Sequence, residues 1–77
     1  MSGYLGVVPR PGRDYKSKAE VLAAWNAGED FIVSDYSSRW DGKPIRKSGA
    51  ARYSPGVTIQ VRYKNLRSVM MIKSPGA

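Results

Sequence analysis

Hydrophobic and polar positions alternate most cleanly in "VTIQVRY", Val57 to Tyr63, where Val57, Ile59, Val61 and Tyr63 share one face and Thr58, Gln60 and Arg62 the other. A second apolar-rich run, Leu66 to Lys73, follows directly after Lys64-Asn65. Asparagine tolerates the positive φ of a two-residue turn, so the two runs predict a C-terminal β-hairpin over 57–73. In that register Val57, Ile59, Val61 and Tyr63 stand opposite Ile72, Met70, Ser68 and Leu66, and Arg62 stands opposite Arg67. A three-residue loop would set Val61 against Val69 instead.

The segment "DYKSKAEVLAAWNAGEDF" carries a different period. Ser17 with Glu20 three residues on forms a capping box, and Val21, Leu22 and Trp25 fall on one face with Ala24 beside them. Gly28 supplies a left-handed C-terminal cap, so the pattern predicts a helix over 18–27. A helix that short is unstable alone and must pack on a sheet. "FIVSDY" is rich in β-formers and predicts a strand over 31–36. Residues 37–56 hold no apolar run and read as a basic loop that admits a short strand around Lys43 to Lys47. Leu5 to Val8 can form a strand, but Pro9 and Pro11 make residues 1–12 a loosely ordered arm or an edge strand. The predicted fold class is α+β: one short helix on a small antiparallel sheet of three to five strands, ending in the hairpin.

Length and composition narrow the picture. The 77 residues make one domain, 1–77, and they include neither cysteine nor histidine. Disulfides and ordinary zinc sites therefore have no ligands, and stability rests on packing or on self-association, with a homodimer compatible with the composition. The start "MSGYLGVVPRPGR" lacks the apolar core of a signal peptide, and no run is long enough to span a membrane. A cytoplasmic protein is expected.

The net charge of +7 is unevenly placed. Residues 1–38 carry four bases against five acids, whereas residues 39–77 carry nine bases against Asp41 alone. One part of the chain then builds the scaffold and the other attracts an anion. Catalytic chemistry finds few groups. Without histidine and cysteine the commonest base and the best nucleophile are missing, and Gly3, Gly6 and Gly12 match no phosphate-binding pattern. Glu29-Asp30 and Asp35/Asp41 have no metal-ligand spacing. The expectation is a non-enzyme with no cofactor and no metal.

What the sequence does hold is a mixture of bases and rings. Arg39, Lys43, Arg46, Lys47 and Arg52 interleave with Trp40 and Tyr53, and the hairpin adds Arg62, Lys64, Arg67 and Lys73. Bases neutralise phosphates and rings stack on nucleobases, so the candidate ligand-binding set is Arg39, Trp40, Lys43, Arg46, Lys47, Arg52, Tyr53, Arg62, Lys64 and Arg67. Plainer roles compete. Trp40 can close a small core, Tyr63 belongs to the apolar face, and lysines such as Lys43, Lys64 and Lys73 serve solvation. Arg62 and Arg67, opposed across the hairpin, would repel unless an anion bound between them, with Arg46 and Arg52 close by. Alternatively Arg62 pairs with Asp35 or Asp41.

"VLAAWNAGEDFIV", "SSRWDGKPIRKSGA" and "VRYKNL" together resemble the small orphan accessory proteins of tailed bacteriophages. The resemblance implies an inhibitor that docks on a host enzyme or a bacterial defence protein. The residues themselves favour a non-catalytic module that binds nucleic acid without strong sequence preference, through the 39–53 loop and the polar face of the hairpin. Capture of a small signalling nucleotide is a further alternative and requires an enclosed pocket. Expected partners are thus nucleic acid or an acidic protein surface, including a host protein, and no membrane.

Overall fold

A computed structural model describes residues 4–53 and 56–73. The chain runs β1 (Tyr4–Pro9), α1 (Lys18–Asn26), β2 (Phe31–Val33), β3 (Pro44–Ile45), α2 (Lys47–Tyr53), β4 (Thr58–Tyr63) and β5 (Ser68–Lys73). The strands form one sheet in the order β3-β2-β1-β4-β5. Neighbours are antiparallel except β1 and β4, which are parallel. The fold is α+β, with a C-terminal hairpin and a second short helix. No described helix is long and apolar enough to cross a membrane.

The strands bury alternate residues on one face only. Leu5 and Val7, Phe31 and Val33, Ile45, Ile59, Val61, Tyr63 and Ile72 join Tyr15, Val21, Ala24 and Trp25, and Ala50 of α2, in a single core. The opposite face carries Tyr4, Gly6 and Val8, Ile32, Pro44, Thr58, Gln60 and Arg62, and Val69, Met71 and Lys73, none of them buried. Both helices therefore cover the same side, and among the described residues the other side of the sheet, the open face, meets only the segment 34–37.

Helix α1 matches its predicted span to within a residue. Ser17 Oγ accepts the Glu20 N–H at 3.2 Å, and the Glu20 carboxylate accepts the N–H of Lys16 at 2.9 Å. Gly28 adopts φ +86° just past the end, where a side chain would be strained. The buried face differs from the expectation: Val21, Ala24 and Trp25 point inward and Leu22 is 42% exposed. An i, i+3, i+4 stripe fits a flat sheet better than one led by two adjacent large side chains.

Four further expectations are corrected. Residues 4–9 are the middle strand, not an arm or an edge; residues 1–3 lie outside the described residues. Pro9 is tolerated because β1 pairs with β4 only from Tyr4 to Val7, so the proline sits where the strand has a neighbour on one side alone. The 37–56 segment is not a loop throughout, since β3 and α2 lie within it and bury Ile45 and Ala50; Ser54 and Pro55 fall outside the described residues. The strand predicted over 31–36 stops at Val33, because the Asp35 carboxylate accepts the Ser37 N–H at 3.1 Å and its hydroxyl at 2.6 Å, and so turns the chain. Finally, the hairpin turn spans Lys64 to Arg67, four residues rather than two. Val61 pairs with Met70 and Arg62 with Val69, a shift of two that leaves the residues of β4 and β5 on their predicted faces but moves Leu66 and Arg67 into the turn.

Three successive residues of that turn, Lys64, Asn65 and Leu66, have φ of 54°, 56° and 67°. Asparagine tolerates this region, but lysine and leucine adopt it rarely, and three in succession need to be held there. The hold comes from the segment ahead of α1: the Tyr15 carbonyl accepts the Lys64 N–H at 2.8 Å and the Asp14 carboxylate accepts the Asn65 N–H at 3.0 Å.

Tyr15 is itself buried, stacked on Phe31 with ring centroids 5.5 Å apart and with the Arg13 guanidinium 4.9 Å from its own centroid. Its hydroxyl makes no hydrogen bond of good geometry. Burial pushes the phenol above its usual 10.0, opposed by the hydrogen-bonding pull of Arg13 and reinforced by the nearby Glu29 carboxylate. The unfolded chain releases this proton first as pH rises, so the stability is complete below pH 10 and declines above it. Tyr15→Phe is expected to alter stability at neutral pH by less than about 1 kcal/mol, because the hydroxyl it removes makes no well-formed hydrogen bond. It should also flatten the alkaline decline in melts taken from neutral pH upward. An alkaline decline identical to that of the parent would show that Tyr15 does not cause it.

Candidate functional site

The carboxylates are occupied within the protein. Glu29 Oε1 accepts Arg13 Nε at 3.0 Å and lies 3.4 Å from Arg10, and Asp30 lies 3.3 Å from Arg46. Glu20 caps α1, Asp14 holds the hairpin turn, and Asp35 and Asp41 bind loop backbone N–H groups. Among the described residues no three acidic side chains come together as a metal cage. The surplus positive charge is left to the surface, where Arg39, Arg52, Arg62, Lys64, Arg67 and Lys73 are all exposed.

The structure distributes the predicted binding residues over four places. Arg46, Lys47 and Arg52 lie at α2: Arg46 pairs with Asp30, Lys47 Nζ donates to Asn26 Oδ1 at 3.0 Å, and Arg52 shares a shallow hollow of about 380 Å³ with Arg46, Ser48 and Gly49. Tyr53 ends the same helix, and its side chain lies outside the described residues. Arg39, Trp40 and Lys43 lie in the β2–β3 connection. Trp40 is half-buried against the core and the Lys43 ammonium sits 5.5 Å from its ring centroid, so this ring closes the core rather than offering both faces to a ligand. Lys64 and Arg67 flank the hairpin turn, beside Asn65 and Ser68. Arg62 stands apart on the open face.

Arg62 and Arg67 are therefore not opposed. Arg67 lies in the turn, Arg62 faces Val69, and the repulsion that pointed to an anion between them does not arise. No ion pair to Asp35 or Asp41 forms either, since those carboxylates hold the 35–41 turn.

Arg62 instead borders a groove of about 560 Å³ on the open face, lined by Tyr4, Gly6, Ser34, Asp35, Tyr36, Ser37 and Gln60. Parallel pairing sets Gly6 beside Gln60 and Tyr4 beside Thr58. Gly6 accepts the Ser34 N–H at 2.8 Å, and a Cβ added to it would lie 3.0 Å from the Ser34 carbonyl oxygen. Glycine lets the backbone after β2 approach β1 this closely without the shift of a few tenths of an ångström that a side chain would require, and that approach delivers Tyr36 to the groove. Tyr4 is 65% exposed and Tyr36 96%. Two solvated rings, a guanidinium, an amide, the serine hydroxyls and the Asp35 carboxylate, which is turned to the Ser37 N–H and hydroxyl, thus border one depression. Such a set can stack on flat groups, pair with an anion and hydrogen-bond a polar edge.

Tyr4, Tyr36 and Gln60 were absent from the predicted set. Extending the alternation of β1 back from Val7 would have placed Tyr4 and Gly6 on the polar face, and Gln60 already shared a face with Arg62. Nothing local marks Tyr36. The chain matches no protein-family model, and neither a curated protein nor a solved structure shows significant similarity to it.

Proposed function

We propose that this protein is a non-catalytic module that binds single-stranded nucleic acid across the open face of its sheet. One observation carries the reading: Tyr4 and Tyr36 stand exposed around a groove that also holds Arg62, on the side of the sheet no helix covers. Exposed rings stack on bases only where the bases are unpaired, and stacking tolerates any sequence because every base has a π-face. Arg62 and Lys73 on the same face, with Lys64 and Arg67 at the hairpin turn, supply charge for the backbone. Among the described residues none of the six carboxylates forms an ion pair with Arg62, Lys64, Arg67 or Lys73, and the one carboxylate in the groove, Asp35, is engaged by the Ser37 N–H and hydroxyl.

Salt dependence tests the electrostatic half of this reading. With about four phosphates neutralised, log K for a labelled single strand should fall against log salt with a slope near −3, and Arg62→Gln should make the slope shallower by about 0.7. A duplex of the same sequence should bind more weakly. Fluorescence anisotropy at several salt concentrations measures all three. A flat salt response, or no binding at low salt, rejects the proposal and favours the rival expectation of an inhibitor that docks on an acidic protein.

A further inference from the structure

The two edges of the sheet are unlike. β3 closes one edge with two residues, one of them Pro44, and both features stop a strand from recruiting another. β5 forms the other edge over six residues, "SVMMIK", with no proline. Val69 and Met71 are 44% and 58% exposed on its open-face side, while Met70 and Ile72 reach the core side. A long unpaired edge with exposed apolar side chains is a template for another strand.

We propose that β5 pairs antiparallel with β5 of a second copy of this chain, across a two-fold axis perpendicular to the sheet. A two-fold contact joins the same patch on both copies, so a side chain on the axis meets itself. Side chains alternate faces, so the axis must pass through a residue position if the two apolar sides are to stay aligned. Centring on Met70 would set Arg67 opposite Lys73 of the second copy, a like-charge pair. Centring on Met71 avoids this. Met71 then packs on Met71 of the second copy, Val69 lies under the aliphatic stem of Lys73, and Met70 meets Ile72, which carries the core across the junction. This arrangement keeps both open faces on one side, so the two Tyr4–Arg62 grooves share a continuous surface.

The inference does not depend on the ligand, and salt separates it from the nucleic-acid reading. Two copies of charge +7 repel, so screening should strengthen the dimer while it weakens binding to phosphates. Sedimentation velocity on the full chain, from micromolar to millimolar, should show a monomer–dimer equilibrium that shifts toward dimer as salt rises. Met71→Lys puts two ammonium groups on the axis and should weaken the dimer by about tenfold or more, without changing the thermal melt at dilutions where parent and variant are both monomeric. The sequence has no cysteine, so a single introduced thiol reports the register. The Met71→Cys variant should cross-link to a dimer on mild oxidation at least about tenfold faster than Val69→Cys, whose partner position is Lys73. A chain that stays monomeric at millimolar concentration and high salt overturns the proposal, as does equal or faster cross-linking of Val69→Cys.

Discussion

Trp25→Ala is expected to remove a large share of the chain's stability, about 3 to 5 kcal/mol, while Leu22→Ala on the same helix leaves it nearly unchanged. Trp25 is 1% exposed and meets Phe31 edge-on, with ring centroids 5.7 Å apart and planes at 65°. Truncating a buried aromatic to alanine costs about 3 to 5 kcal/mol. A domain of this length is stabilised by only about 4 to 12 kcal/mol in total. Leu22 extends from α1 into solvent, and its truncation should cost less than about 1 kcal/mol. The indole N–H has no hydrogen-bond partner, so Trp25→Phe loses volume without losing a polar contact and should fall between the two. Thermal melts followed by circular dichroism rank the three variants. Were Leu22→Ala the more damaging change, α1 would have to be turned about its axis, and the assignment of the core face would fail.

The second large effect is expected on binding. Removing both rings of the open face, Tyr4→Ala with Tyr36→Ala, should weaken single-strand affinity by about 2 to 6 kcal/mol, since each stacked ring contributes about 1 to 3. The lower bound already corresponds to roughly a 30-fold loss. Both side chains are exposed, so the melt should barely move. Tyr4→Phe with Tyr36→Phe retains the rings and should bind nearly as the parent does. Parent-like affinity in the alanine pair, with the salt dependence intact, would move the binding surface away from this face, toward the α2 hollow around Arg46 and Arg52.

Features that depend on neighbours in sequence were legible from it. The α1 cap needs only Ser17 and Glu20, three residues apart, and it forms. The division of β4 into an apolar face with Ile59, Val61 and Tyr63 and a polar face with Gln60 and Arg62 needs only the pleat. It survived a wrong register because an error of two residues returns each side chain to its own side. Arg62 was recognised as a surface residue for this reason, although the residue opposite it is Val69 and not Arg67.

The turn that sets the register depends on Asp14 and Tyr15, about fifty residues earlier in the chain, whose carboxylate and carbonyl hold Lys64 and Asn65 at positive φ. Local turn preferences do not register such a contact. Likewise, the apolar alternation of Leu5 and Val7 was visible, but the central place of β1 came from parallel pairing with β4, and the nearby prolines argued the other way. Ile45 and Ala50 are isolated apolar residues in a basic stretch. They are buried only because β2 and the sheet provide a surface to cover. The groove depends most on tertiary structure: it needs β1 beside β4, and the close approach of the segment carrying Tyr36 is eased by the missing side chain of Gly6. The sequence determined the helix cap and the sidedness of the strands because those follow from backbone geometry over a few residues. Strand order, register and the meeting of Tyr4, Tyr36 and Arg62 were decided by tertiary structure, because each depends on hydrogen bonds and packing between segments that are neighbours only once the chain has folded.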